Sequence, residues 1–102
     1  MKISDEGIAI TKRFFEAIEM LALQKKIRGL QTFTREYNIN YWNMHTLKND
    51  PHIRVLKPEL LYYLAHDFGI STDWLILGKG AMFSKNIVKN LSQEKNEPTI
   101  TD

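Results

Sequence analysis

The chain has 102 residues, 43% of them apolar and 25% charged, with eleven aromatic side chains, a composition that suits one globular domain with a packed core. The absence of cysteine excludes a disulfide scaffold and any thiolate-ligated zinc or iron–sulfur site, and only five glycines and three prolines argue against a turn-rich all-β chain. The net charge is +2, no apolar run approaches the ~18 residues of a membrane span, and no signal peptide is visible, so the expected compartment is the cytoplasm with no membrane partner.

Residues 1–10 read as a lead-in, although Ile3, Ile8 and Ile10 could dock. Thr11 is the expected cap of a first helix whose apolar face is Phe14, Phe15, Ile18, Leu21 and Ala22. Lys25 and Lys26 are expected in its last turn, where cations suit the helix dipole, and Gly29 breaks the pattern. A shorter second helix begins at Gln31 or Thr32, carries Leu30, Phe33 and Tyr37 at helical spacing, and ends at Asn38, a residue type that tolerates left-handed backbone. Only Ile39 separates this end from a fresh N-cap at Asn40, which opens a third helix with Met44 and Leu47 facing inward and Tyr41 at the margin of that face. Asn49-Asp50-Pro51 stops it, and a loop of residues 50–57 follows.

Pro58 suits a first helical position, with Glu59 in the first turn of a fourth helix. Leu61, Leu64, Ala65 and Phe68 are its expected face and Gly69 its stop. Ser71 caps a short fifth helix, residues 72–77, ending at Gly78; Lys79-Gly80 is a turn and Ala81-Met82-Phe83 an apolar tag. Residues 84–102 read as a polar, flexible tail in which Ile87, Val88 and Leu91 could make a turn or two of helix. The expectation is thus all-α: five helices in one domain over residues 11–83, between a lead-in and a tail.

Helices joined through Asn38-Ile39-Asn40 are too tightly linked to pack antiparallel, which implies the steep crossing of a helix-turn-helix. Phe33, Ile39 and Met44 would fill the angle, and the first, fourth and fifth helices would supply the rest of the core. The third helix then projects Asn40, Trp42, Asn43, His45, Thr46 and Asn49. Charge adds to this. Residues 11–57 carry a balance of +5, while residues 58–84 carry −2. The excess lies in Lys25, Lys26, Arg28, Arg35, Lys48, Arg54 and Lys57, against Glu36 and Asp50. A basic segment beside a helix of hydrogen-bonding side chains fits a polyanion, and such a helix fits the major groove of double-stranded DNA.

Two stretches carry a family resemblance over about residues 11–83. Leu61-x-x-Leu64-Ala65-x-x-Phe68-Gly69-Ile70-Ser71-x-x-Trp74-Leu75-x-x-Gly78-x-Gly80 resembles the fourth and fifth helices of the lambda-repressor-like (Cro/repressor-type) helix-turn-helix proteins of bacteria and phages. Residues Phe33 to Asn40 are similar to that family's first motif helix and turn, with Asn38 where glycine is usual and Thr34 where alanine is usual. The Tyr41-Trp42 opening and the longer loop before Pro58 are further departures. The resemblance implies a DNA-binding transcriptional regulator that reads the major groove with residues 40–49. Trp42, Asn43, His45 and Thr46 would face the bases, and Lys25, Lys26, Arg28, Arg35, Lys48 and Arg54 the phosphates. Trp42 has two readings, packed inward as core or turned outward onto DNA. The alternative is an interaction module that keeps the fold without reading DNA, with Tyr41, Trp42 and the apolar residues of the tail contacting a protein.

Nothing in the sequence supports catalysis: there is no Cys nucleophile, no Ser–His–Asp order with an elbow and no evident carboxylate pair. His45, His52 and His66 lack metal-ligand spacing, and Gly78-Lys79-Gly80 lacks the strand and the following Ser/Thr of a phosphate loop. No cofactor, metal or small-molecule ligand is expected. Ile76, Leu77, Met82 and Phe83 exceed what a six-residue helix and a turn need for their own burial, so a weak homodimer through them is expected. The competing arrangement folds Met82 and Phe83 back onto their own chain.

Overall fold

The computed structural model describes residues 2–84. Among them are five helices and no strand: α1 (Asp5–Leu23), α2 (Leu30–Glu36), α3 (Tyr41–Asn49), α4 (Pro58–Phe68) and α5 (Asp73–Leu77). The fold is therefore all-α, as expected, and no helix among these residues is long and apolar enough to cross a membrane. The tail read from the sequence lies, apart from Ser84, outside the described residues, as do Ile87, Val88 and Leu91. The described residues divide into two units between Leu61 and Tyr62, inside α4.

In the first unit, α1 begins at Asp5 rather than after Thr11. Ser4 is the cap: its Oγ accepts from the Gly7 N–H at 3.1 Å, and Asp5 and Glu6 occupy the first turn, where carboxylates suit the positive end of the dipole. Thr11 is buried within the helix and donates its hydroxyl to the Gly7 carbonyl at 3.1 Å, so the lead-in and the Thr11 cap are corrected together. Most of residues 1–10 belong to α1 and extend its apolar stripe back to Ile8.

α1 and α2 end in the same way. Lys25 adopts left-handed backbone (φ 63°), with its N–H donating to the Ala22 carbonyl and the Lys26 N–H to the Leu21 carbonyl, both at 3.0 Å. This Schellman pattern satisfies carbonyls that the helix end would leave orphaned. Lys25 and Lys26 therefore lie beyond the helix, not in its last turn, which holds no basic residue. Asn38 repeats the arrangement (φ 58°): its N–H donates to the Arg35 carbonyl, and the Ile39 N–H to the Thr34 carbonyl at 2.8 Å. Two residues later Asn40 caps α3, its Oδ1 accepting from the Asn43 N–H at 2.9 Å.

α1, α2 and α3 pack against one another. Phe14, Leu21 and Phe33 are fully buried, and the Phe14 and Phe33 rings meet edge-to-face at 5.6 Å, the geometry that puts the positive edge of one ring on the negative face of the other. Phe15 and Tyr37 extend the ring cluster at 5.0 and 4.8 Å. Met44 and Leu47 turn the inner face of α3 to this core, and Ile39 is half-buried in the turn. Leu56 and Leu60 are also buried; Leu60, not Leu61, is the residue of the first turn of α4 that is fully covered.

In the second unit, Leu64, Ile70 and Leu75 are buried and Trp74 is half-buried. Gly69 and Gly78 stand in left-handed backbone (φ 73° and 70°) after α4 and α5, as their positions in the sequence suggest. α5 is a π-helix of five residues, Asp73–Leu77, and the Ser71 Oγ accepts from the Trp74 N–H at 3.3 Å at its start. The chain then returns: the Ser71 N–H donates to the Met82 carbonyl and the Ser84 N–H to the Gly69 carbonyl, both at 2.7 Å, around an isolated antiparallel bridge between Ile70 and Phe83.

The turn between α2 and α3 sets a test of stability. Asn38→Gly should leave stability nearly unchanged, because glycine needs no strain to reach the same backbone. Asn38→Val should lower it by about 1–2 kcal/mol, because a β-branched side chain is strongly disfavoured there. Denaturant unfolding of the two variants reads the difference directly; equal midpoints would contradict the left-handed turn.

Candidate nucleic-acid interface

With Met44 and Leu47 turned inward, helical geometry puts Trp42, His45, Thr46 and Asn49 on the opposite side of α3. Trp42 resolves to the outward reading: it is 69% exposed. Asn43 and Thr46 are exposed too, and His45 is half-buried.

These side chains order one another. Tyr41 and His45, one turn apart, stack at 5.7 Å with their planes 23° from parallel, and Trp42 and His45 meet edge-to-face at 5.7 Å. Tyr41 and Trp42 meet edge-to-face at 5.1 Å. His45 Nε2 also lies 3.2 Å from Asn49 Nδ2, again one turn on. The imidazole is therefore held between Tyr41, Trp42 and Asn49 on an otherwise solvent-facing helix. The Thr46 hydroxyl donates to the Trp42 carbonyl at 2.8 Å, which commits its hydrogen and leaves the oxygen able only to accept. Trp42, His45 and Thr46, expected from the sequence as separate contacts, are thus mutually packed, and the i, i+4 spacing of Tyr41, His45 and Asn49 is the sequence signal for it.

Four of the six basic residues share one feature of the surface. Lys25, Lys26, Arg28 and Arg35 line a single open groove beside the turn between α1 and α2. Lys48, on α3, is paired with Glu19 of α1 at 3.3 Å. An exposed pair of this kind contributes little to stability, but it places a carboxylate beside one of the expected phosphate contacts. Arg54 is exposed in the 50–57 loop between exposed Ile53 and Val55. That loop is shaped at its start by Asp50, whose Oδ1 accepts from the His52 N–H at 3.2 Å and whose carbonyl accepts from the Ile53 N–H at 3.3 Å.

In the second unit, Ile76 and Leu77 are exposed, Leu77 at 60%. Met82 and Phe83 are half-buried, and their backbone is held by the return to residues 69–71. The four residues expected at a dimer interface thus divide into two that face solvent and two that are partly covered by their own chain. His66 stacks on Tyr62 at 5.1 Å and bonds Asp67 at 2.7 Å. No family model matches this chain, and neither a curated protein nor a solved structure matches it.

The exposure of Trp42 has an optical signature. In a Trp74→Phe variant, which leaves Trp42 as the only tryptophan, emission should lie near that of tryptophan in water and be readily quenched by acrylamide. A blue-shifted, protected emission would put Trp42 back in the core.

Proposed function

We propose that the chain is a DNA-binding transcriptional regulator of the lambda-repressor-like type, which sets residues 40–49 into the major groove of double-stranded DNA. The observation that carries this reading is α3 itself. It is a short helix fixed at its start by a tight turn from α2, with Met44 and Leu47 anchored inward and polar and aromatic side chains outward. Asn43 has the donor–acceptor pair that matches adenine in the major groove. Thr46, with its hydroxyl hydrogen committed to the Trp42 carbonyl, offers a methyl group to thymine and an oxygen to base donors. His45 offers its ring from a position fixed by Tyr41 and Asn49. Trp42 lies across a sugar or a thymine methyl. Lys25, Lys26, Arg28, Arg35 and Arg54 take phosphates, and Lys48 does so after exchanging Glu19 for the strand.

A mobility-shift titration against random duplex at several salt concentrations tests this. The logarithm of the binding constant should fall by about 0.9 per neutralised phosphate for each tenfold rise in salt, and Arg35→Ala or Arg54→Ala should make the slope shallower by about one. Asn43→Ala or His45→Ala should cost about 1–3 kcal/mol for the preferred site over others. A wild type that does not shift duplex DNA overturns the reading. The observation favouring a second reading is the exposure of Trp42 beside Tyr41, a pair typical of the centre of a protein interface. On that reading the same helix docks on a protein, and no duplex is bound.

The regulator acts as a weak homodimer, strengthened on DNA by half-sites about one helical turn apart. Ile76 and Leu77 are its contact, with Met82 and Phe83 contributing only the parts of their side chains that remain uncovered. Sedimentation equilibrium should give a mixture of monomer and dimer for the wild type at micromolar concentration and monomer alone for Leu77→Glu. A wild type that stays monomeric, and binds one copy per site, excludes the dimer.

A further inference from the structure

Which base the outer face of α3 takes follows from the state of one hydroxyl. Thr46 is exposed, and its Oγ1 donates to the Trp42 carbonyl at 2.8 Å. A threonine hydroxyl has one hydrogen and two lone pairs, so with the hydrogen engaged the oxygen presents only acceptors to a group arriving from solvent. Side chains on a helix lean toward its N-terminus, and Trp42 stands one turn back on the same side of α3. The Trp42 ring is 69% exposed and meets Tyr41 and His45 edge-to-face at 5.1 and 5.7 Å. Threonine's own methyl group shares a carbon with the hydroxyl. A lone acceptor is thus bordered by apolar surface. Asn43, another exposed side chain one turn from Thr46, needs both ends of its amide for an adenine of its own.

The four bases respond differently to this pattern. In the major groove guanine shows only acceptors, and thymine shows an acceptor beside its methyl group, so each sets an acceptor against the Thr46 oxygen. Adenine offers an amine but also N7, an acceptor that apolar surroundings would strip of water and leave unpaired. Cytosine offers its N4 amine as its one polar group, and the C5 edge beside that amine is apolar. A lone acceptor next to an indole ring satisfies it completely. A methyl group on C5 adds apolar contact with the same ring and disturbs no hydrogen bond. We propose that Thr46 and Trp42 form a cytosine-reading pair, with Thr46 accepting from the N4 amine and Trp42 covering the C5 edge, and that methylation of C5 strengthens the contact. The pair rests on the major-groove reading of α3, to which it adds the base at one position and a response to a DNA modification.

The test uses the full chain. Duplexes retained from a random-sequence pool by the wild type, and separately by Thr46→Val, are sequenced. The wild type should select a C·G pair at a position where Thr46→Val, which keeps the shape and the methyl group but removes the acceptor, shows no preference. Mobility shifts on the selected duplex then compare bases at that position. The wild type should bind cytosine about tenfold more tightly than thymine, and Thr46→Val should bind the two about equally. Thr46→Ser, which keeps an acceptor, should retain the preference. Methylation of the cytosine at C5 should tighten wild-type binding about threefold, and Trp42→Ala should abolish that gain while cytosine stays preferred over thymine. Four outcomes would overturn the pair and leave DNA binding by α3 standing: duplexes retained without sequence preference, a selected site that Thr46→Val leaves unchanged, a base other than cytosine at the position it affects, or methylation that does not tighten binding. A wild type that retains no duplex overturns both.

Discussion

Asn38 holds its backbone in the left-handed region so that two N–H groups, its own and that of Ile39, can close the end of α2; two residues later Asn40 closes the start of α3. All of this happens within three residues, and it leaves the chain no freedom to lay α3 alongside α2 by a longer path. The direction of α3, the inward placement of Met44 and Leu47 and hence the outward placement of Trp42 and Thr46 follow from it. Phe33 and its edge-to-face contact with Phe14 then lock the pair onto α1. An error in the turn would therefore be felt at the surface of α3 before it was felt in the core.

Much of this could be read in the residues, because the devices involved are local. A short polar residue in left-handed backbone, a cap three residues before the N–H that it serves, a proline at a helix start and a glycine after a helix end depend on neighbours in the chain. The structure agrees with the sequence at Asn38, Asn40, Pro58, Gly69 and Gly78. The start of α1 is ambiguous in the sequence because threonine serves two purposes. Thr11 can cap a helix, but it can equally bond the carbonyl four residues back, and only the continuation of the apolar stripe to Ile8 and the acidic pair after Ser4 distinguish the two. Leu60 and Leu61 were confused for another reason: adjacent leucines at a helix start both satisfy a 3.6-residue period, and their order of burial depends on tertiary packing.

The candidate site was legible by residue and not by arrangement. Sequence spacing showed that α3 would present hydrogen-bonding side chains, but not that Tyr41, Trp42, His45 and Asn49 would constrain one another, or that Glu19, far away in the chain, would meet Lys48. The basic residues were counted as one excess, yet they separate into a groove, a paired lysine and a loop arginine. Net charge is a sum and carries no geometry.

The return of residues 82–84 to residues 69–71 clasps the segment that carries α5. Residues 71–82 form a closed loop, and its closure entropy is offset only while the two 2.7 Å backbone bonds and the Ile70–Phe83 bridge persist. Ser84 is therefore tethered at Gly69, one residue past α4, and not at the tip of α5. The exposed Ile76 and Leu77 ride on the loop between the two ends of this clasp, so any loosening of the clasp frees them together with α5.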